Sequence, residues 1–364
     1  MSLGFRKEIQ PTGDVWQKVS NSIDESDVTS LLIVSGEDSP VILVGTQQGV
    51  YRSVDDGKTF QPVLQLSSRE KKINYLYTPD NTSEPEPAQE DSGSNSPALN
   101  LNHSKHFPFG VFAAANSGLF MSQDEGLRWE KIFSSADPLS QQCLSVVVDR
   151  DTVYLGTANG LFYKKGDSSS WQKRSDFLNP SSTDKVISSL ARDNRYIYAA
   201  TNHEVFRIDP SQENIQKIFS LVNRESESET PADPAESIEP SYKSQIKQIK
   251  VLDGMIPEIY LATTKGIFKS PDQGETWTNL SLDGLPSEAI TSLTVLPDQE
   301  VCAGTQKGIF QYHDERWFPL YKGMETNQVN FLTLDDHFRI YAATDKGIFF
   351  YPIKTRITNL ISTQ

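Results

Sequence analysis

The 364 residues set 48 acidic side chains against 34 basic ones, a formal net charge of −14 at pH 7, which disfavours nonspecific binding to nucleic acid or to an anionic membrane surface. No run of about 18 apolar residues is present, so no membrane insertion is expected, and the two cysteines, Cys143 and Cys302, each inside an apolar run, predict buried free thiols rather than a disulfide framework. Hydrophobic residues make up 37% and aromatics 10%, with 21 glycines and 20 prolines, a mix that suits many short strands joined by turns.

The opening residues, MSLGFRKEIQ, hold no apolar core of signal-peptide length, so the expected location is the cytoplasm, with MSLG also compatible with a scar left where a leader was removed. Next comes Gly13-Asp-Val-Trp16-Gln-Lys-Val19, a solitary strand carrying a tryptophan. From Val28 onward the chain repeats. A small residue and Thr or Asn precede a glycine, an aliphatic and an aromatic in GTQQGVY (45–51), AANSGLF (114–120), GTANGLF (156–162), ATTKGIF (262–268), GTQKGIF (304–310) and ATDKGIF (343–349), and ATNHEVF (200–206) follows the pattern with Glu204 for glycine. The separations are 69, 42, 44, 62, 42 and 39 residues, a basic period of about 40 with two insertions.

Each copy reads as four strands: A, an alternating run such as Ile290–Val295; B, ending at the small residue and Thr, such as Ile259–Thr263; C, starting at the glycine; and D, carrying the tryptophan. Seven four-stranded units of this period predict a single all-β domain over 1–364, a seven-bladed β-propeller that protects its strand edges by radial closure. The last copy offers Val329–Leu334, 339–344 and Gly347–Tyr351 but no tryptophan-bearing strand after them. The N-terminal strand, about 13–19, is therefore predicted to complete the last blade and lock the ring.

The insertions, about 78–108 and 221–243, are rich in Pro, Ser and Glu and poor in apolar residues, so disorder is the expectation for both. The first separates strands A and B of the second blade. The second joins strand D of the fourth blade to strand A of the fifth, so the two should leave from opposite faces of the ring.

Between strands C and D three copies read Ser53-Val-Asp55-Asp-Gly57-Lys-Thr-Phe60, Ser122-Gln-Asp124-Glu-Gly126-Leu-Arg-Trp129 and Ser270-Pro-Asp272-Gln-Gly274-Glu-Thr-Trp277. This pattern resembles the Asp-box, or BNR, repeat of sialidase-like and photosystem-assembly-factor-like seven-bladed propellers. As an architecture the resemblance covers nearly the whole chain. The motif is eroded at Lys164–Trp171, where Asp167 is displaced, and at His313–Trp317, which is one residue short; the fourth copy lacks it. Physically, Asp accepts hydrogen bonds from the backbone of its own turn, Gly supplies positive φ and Ser adds a further bond to the backbone. Asp55, Asp124 and Asp272 thus read as turn staples, and the resemblance places them on the face opposite the family's ligand site.

Catalytic patterns are missing. His103 and His106 fall in the first insertion, and His203, His313 and His337 bring no HExxH, CxxC or carboxylate–histidine cluster; no phosphate loop or nucleophile elbow occurs. No cofactor or metal is expected. The family's sialidases carry an Arg-Ile-Pro element, to which Phe206-Arg207-Ile208-Asp209-Pro210 is similar, but Asp209 interrupts it and the repeat alignment makes it strand C entering a turn. The candidate partner or ligand face is the one bearing the B–C turns, where Gln48, Ser117, Asn159, His203, Lys265, Lys307 and Lys346 precede the repeat glycine position. Three consecutive lysines there could hold an acidic peptide, an anionic ligand or the chain's own acidic insertion, or are simply good turn chemistry. The expected function is a non-enzymatic scaffold or binding platform for protein partners. The alternatives are a structural subunit of a larger assembly such as a phage-tail-like apparatus, and a glycan-binding or glycoside hydrolase module.

Overall fold

The computed structural model describes residues 15–19, 23, 28–34, 40–66, 72–79, 110–166, 170–174, 177–178, 185–212, 214–221, 244–287, 289–296, 299–335 and 339–352. Its strands form seven separate four-stranded antiparallel sheets, and the innermost strand of each contacts that of the next, the seventh returning to the first. The fold is a closed seven-bladed propeller. Among the described residues the one α-helix is the single turn Pro138–Gln141, started by Asp137, whose side chain accepts from the Ser140 N–H.

Strand B shows why the repeat reads as it does. Val41–Thr46 is buried along its whole length. Val41 and Leu43 pack with Ile73 and Leu76 of the second blade, whereas Ile42 and Val44 pack with Tyr341 and Ile348 of the seventh. A blade sandwiched between two others buries both faces, so its middle strands become continuous apolar runs. The same division recurs around the ring, and each hydrophobic cluster spans two consecutive blades. The small residue before the repeat threonine marks where the next blade comes closest. A Cβ on Gly45 would stand 2.7 Å from Ile73 Cγ2.

The N-terminal strand closes the ring as expected. Gln17–Lys18 pairs antiparallel with Gly347–Tyr351 in the register Gln17↔Phe350 and Lys18↔Phe349. Trp16 is 3% exposed and packs on Tyr351 with 5.4 Å between ring centroids. Its Nε1 donates to Leu320 O of the sixth blade at 2.6 Å. Tryptophans within the chain do the same to the blade before them: Trp171 to Ile132 O, Trp277 to Ile218 O and Trp317 to Ser281 O. One detail differs from expectation. Strand D begins after the tryptophan in blades 2, 3, 5 and 7, at Glu130, Gln172, Thr278 and Gln17, because the indole belongs to the preceding turn; only Trp317 lies within its strand.

Both insertions interrupt the chain where expected. One lies between strands Ile73–Tyr77 and Val111–Ala115, the other between Asn214–Ser220 and Ile246–Leu252. Apart from 78–79 and 221 the insertions lie outside the described residues, as do Gly13, Asp14, His103, His106, Asp167 and His337.

Candidate binding face

Six of the B–C turns are built around a threonine hydroxyl. Thr263 Oγ1 donates to Gly266 O at 2.8 Å and accepts the Lys265 N–H at 2.9 Å. The same pair of bonds forms at Thr305 with Gly308 and Lys307, and at Thr344 with Gly347 and Lys346. It recurs at Thr46 beneath Gln48, Thr157 beneath Asn159 and Thr201 beneath His203. One side chain thus closes the turn and fixes the backbone of the residue ahead of the glycine. Each candidate residue except Ser117, which follows Asn116, is presented by the same device, and the threonine that aligned the repeats is its cause.

The ring of candidates is nevertheless uneven. On blades 2 and 3 the helix Pro138–Gln141 covers the turns. Asn159 Nδ2 donates to Asp137 Oδ2 at 2.8 Å, and Gln141 Nε2 donates to Ser117 O at 2.5 Å. Gln48 is exposed, while His203 is half-buried with its carbonyl accepting from the Leu221 N–H. Lys265, Lys307 and Lys346 are all exposed. The D–A connections of blades 5 and 6 add apolar groups beside two of them. Leu282, 36% exposed, lies against Gly266, and Tyr321, 40% exposed, lies against Gly308. Lys307 Nζ donates to Pro286 O at 3.1 Å. The result is a mixed cationic and apolar surface confined to one side of this face.

The opposite face carries the Ser-x-Asp-x-Gly turns. At each, serine Oγ donates to the aspartate and accepts the glycine N–H: Ser53 with Asp55 and Gly57, Ser122 with Asp124 and Gly126, Ser270 with Asp272 and Gly274. The carboxylate also accepts from the backbone four residues on, at Thr59, Arg128 and Thr276. Bonds from the Thr59 N–H, the Thr59 hydroxyl and Ser53 hold Asp55 down to about 2. At Asp124 and Asp272 burial works upward, but hydrogen bonds outweigh it and both stay below the ordinary carboxylate range. Trp129 and Trp277 donate to Gly126 O and Gly274 O.

An arginine from the preceding blade clamps each of these turns, a feature that inspection of the motif alone does not show. Arg52 Nε donates to Glu125 O at 3.0 Å, Arg207 Nη1 donates to Gln273 O at 3.0 Å, and Arg339 reaches Asp56 Oδ1 at 3.4 Å. The residues Asp56, Glu125 and Gln273 all have positive φ. Arg207 also pairs with Glu275 at 2.8 Å and lies over the Tyr196 ring. The resemblance of Phe206–Pro210 to a sialidase element therefore ends in a structural clamp, within strand Glu204–Asp209. The signal was present in the chain, since Arg52 and Arg207 both follow a Val-aromatic pair at the start of strand C.

Among the described residues no group of three or more His, Cys, Asp or Glu side chains could hold a metal ion, and no helix is long and apolar enough to cross a membrane. Cys143 and Cys302 are buried and in no disulfide, and burial pushes the Cys143 thiol well up.

These features define a seven-bladed β-propeller whose Ser-x-Asp-x-Gly turns are committed to structure and whose other face is open on one side. No family model matches the chain, and no curated protein matches it. Solved structures share the fold at low identity. The extracellular domain of the BT4673 system of B. thetaiotaomicron superimposes with a TM-score of 0.64 at 15% identity, over 93% of this chain and 40% of that one. This chain thus spans well under half the length of such extracellular domains. Streptogramin B lyase gives 0.63 at 12% identity, covering 93% and 97% of the two chains. YCF48 bound to D1 peptide gives 0.59 at 12% identity, covering 94% and 98%. The structural neighbours thus include both enzymes and peptide-bound propellers.

Proposed function

We propose that the protein is a non-enzymatic binding platform that takes an acidic segment of a protein partner on the B–C turn face of blades 5 to 7. The observation carrying this reading is the exposed Lys265, Lys307 and Lys346, two of them set beside Leu282 and Tyr321. Lysines give long-range attraction and orientation, and adjacent apolar groups supply contact area. The Ser-x-Asp-x-Gly turns are read as Asp-box repeats. Their carboxylates are spent on their own backbones, leaving them poorly suited to acid–base chemistry. A propeller of similar size with a bound peptide, YCF48, supports the reading by analogy of fold. Two buried cysteines outside any disulfide suit a reducing compartment, and the proposed location is the cytoplasm.

The test is capture of partners from the native cell by the full chain and by a Lys265→Glu/Lys307→Glu/Lys346→Glu variant. A specific partner should be retained by the first and lost at least tenfold by the second, with attachment weakening as salt rises. Equal recovery by both chains would overturn the reading.

A further inference from the structure

The innermost strands carry a second repeated device, at the axis rather than at the turns. In six of the blades the pairing of strands A and B slips by one residue at the start of strand A, between Val28 and Ser30, Ile73 and Tyr75, Cys143 and Ser145, Ile246 and Gln248, Ile290 and Ser292, and Val329 and Phe331. The extra residue of such a bulge is released from the ladder and its side chain re-aimed. The first residue of each of these strands pairs with the end of strand B, as Val28 does with Thr46, so the bulges ring the axis on the face of the B–C turns.

Four of the bulge side chains bridge to the next blade at the backbone carbonyl of its first residue. Thr29 Oγ1 donates to Ile73 O at 2.5 Å, Asn74 Nδ2 to Cys143 O at 2.8 Å, Thr291 Oγ1 to Val329 O at 2.7 Å and Asn330 Nδ2 to Val28 O at 2.9 Å. They form a polar collar whose donors are consumed in joining blades. Leu144 occupies the place in blade 3 and Lys247 in blade 5.

Lys247 does not fit the joining role. It is exposed, although Ile246 and Gln248 on either side are buried. Among the described residues its ammonium donates to the neutral Gln245 Oε1 at 2.5 Å, which leaves donors to spare. Desolvation by the surrounding protein pushes its pKa below the ordinary lysine value. An ammonium with donors to spare, held at the axial end of strand A and partly desolvated, favours an incoming counter-charge.

We propose that Lys247 makes the axial opening on this face an oxyanion site, binding a carboxylate or phosphate group of a ligand. The collar supplies a fixed polar rim and Lys247 the charge. The site is independent of the lysines on the B–C turns, so it stands or falls apart from the partner-binding reading.

Lysine methyl groups introduced with a ¹³C label on the full chain give one resonance per lysine, and Lys247→Thr assigns the one in question. Inorganic phosphate and succinate are titrated separately at constant ionic strength. The Lys247 resonance should shift saturably, at an anion concentration at least tenfold lower than any shift at Lys265, Lys307 or Lys346. Calorimetry should show Lys247→Arg and the triple-glutamate variant binding the same anion, and Lys247→Thr losing it. The threonine variant restores the residue found at 29 and 291, so its melting temperature should not fall. A response to phosphate alone, to succinate alone or to both names the ligand group. A Lys247 response no different from the other lysines, or undiminished binding by folded Lys247→Thr, would overturn the proposal.

Discussion

Asp272 accepts a hydrogen bond from the Ser270 hydroxyl and two more from Thr276, and Asp55 does the same with Ser53 and Thr59. A carboxylate held low in the folded state contributes stability that is fully present above its unfolded value, near 3.8, and is lost as pH falls through the folded value, about 2 for Asp55. The melting temperature should therefore drop between about pH 4 and pH 2. Asp149, raised by burial, works in the opposite sense. In an Asp55→Asn/Asp124→Asn/Asp272→Asn variant the acid limb of the melting profile should flatten; an unchanged limb would assign acid sensitivity to other groups. Gly274 offers a sharper test. Its φ is +96°, and a Cβ there would stand 2.4 Å from Ile218 Cδ1 of the preceding blade. Gly274→Ala should cost about 2 kcal/mol or more in urea unfolding, from backbone strain and overpacking together. Adding Ile218→Ala should relieve the clash and leave the strain, giving a cost for the pair below the sum of the two. The roles of Ser, Asp and Gly in this turn were legible from their spacing. Two of the clamping arginines left a trace in the shared Val-aromatic-Arg start of strand C, but their partners were not legible, because Arg52 and Glu125 are 73 positions apart and meet only when blades pack.

At the scale of the element, the N-terminal strand is two residues long by pairing, Gln17–Lys18, yet it sits where the tryptophan-bearing strands of other blades sit. Lys18 lies over the Phe349 ring as Lys173 lies over Phe162, and both follow a Trp-Gln pair. Trp16→Ala should cost about 3–5 kcal/mol in chemical denaturation, a loss typical of a large buried aromatic. Gln17→Ala, at an exposed position, should stay within about 0.5 kcal/mol. Removal of residues 1–20 should destabilise the chain at least as much as Trp16→Ala; a truncated chain that melts like the full one would show that the ring does not depend on this strand. The strand was predictable because a repeat lacked its fourth member and an unpaired copy of that member preceded the first repeat.

Over the whole molecule, radial closure leaves only short, protected sheet edges and makes each blade the wall of two hydrophobic clusters. The overall charge of −14 is not spread evenly. Aspartates concentrate in the turns of one face, bound to their own backbones and clamped by arginine, while Lys247, Lys265, Lys307 and Lys346 share the other. An acidic chain can therefore offer a cationic surface, and net charge alone gives no indication of it.

The linear order of residues determined the blade count, the four strands of each blade, the turn chemistry and the strand that closes the ring. Each of these depends on local periodicity, on turn residues with fixed dihedral demands, or on counting repeats. Tertiary structure decided which candidate turns are open. The helix Pro138–Gln141 ties down Asn159 and covers Ser117, whereas Lys265 and Lys307 gain apolar neighbours from connections 14 or more residues away. It also decided the axial collar, because Thr29, Asn74, Lys247, Thr291 and Asn330 occupy equivalent places only through a bulge at the start of strand A. Residues in different blades become neighbours when the ring shuts, and pairwise geometry of that kind leaves no periodic trace in a single chain.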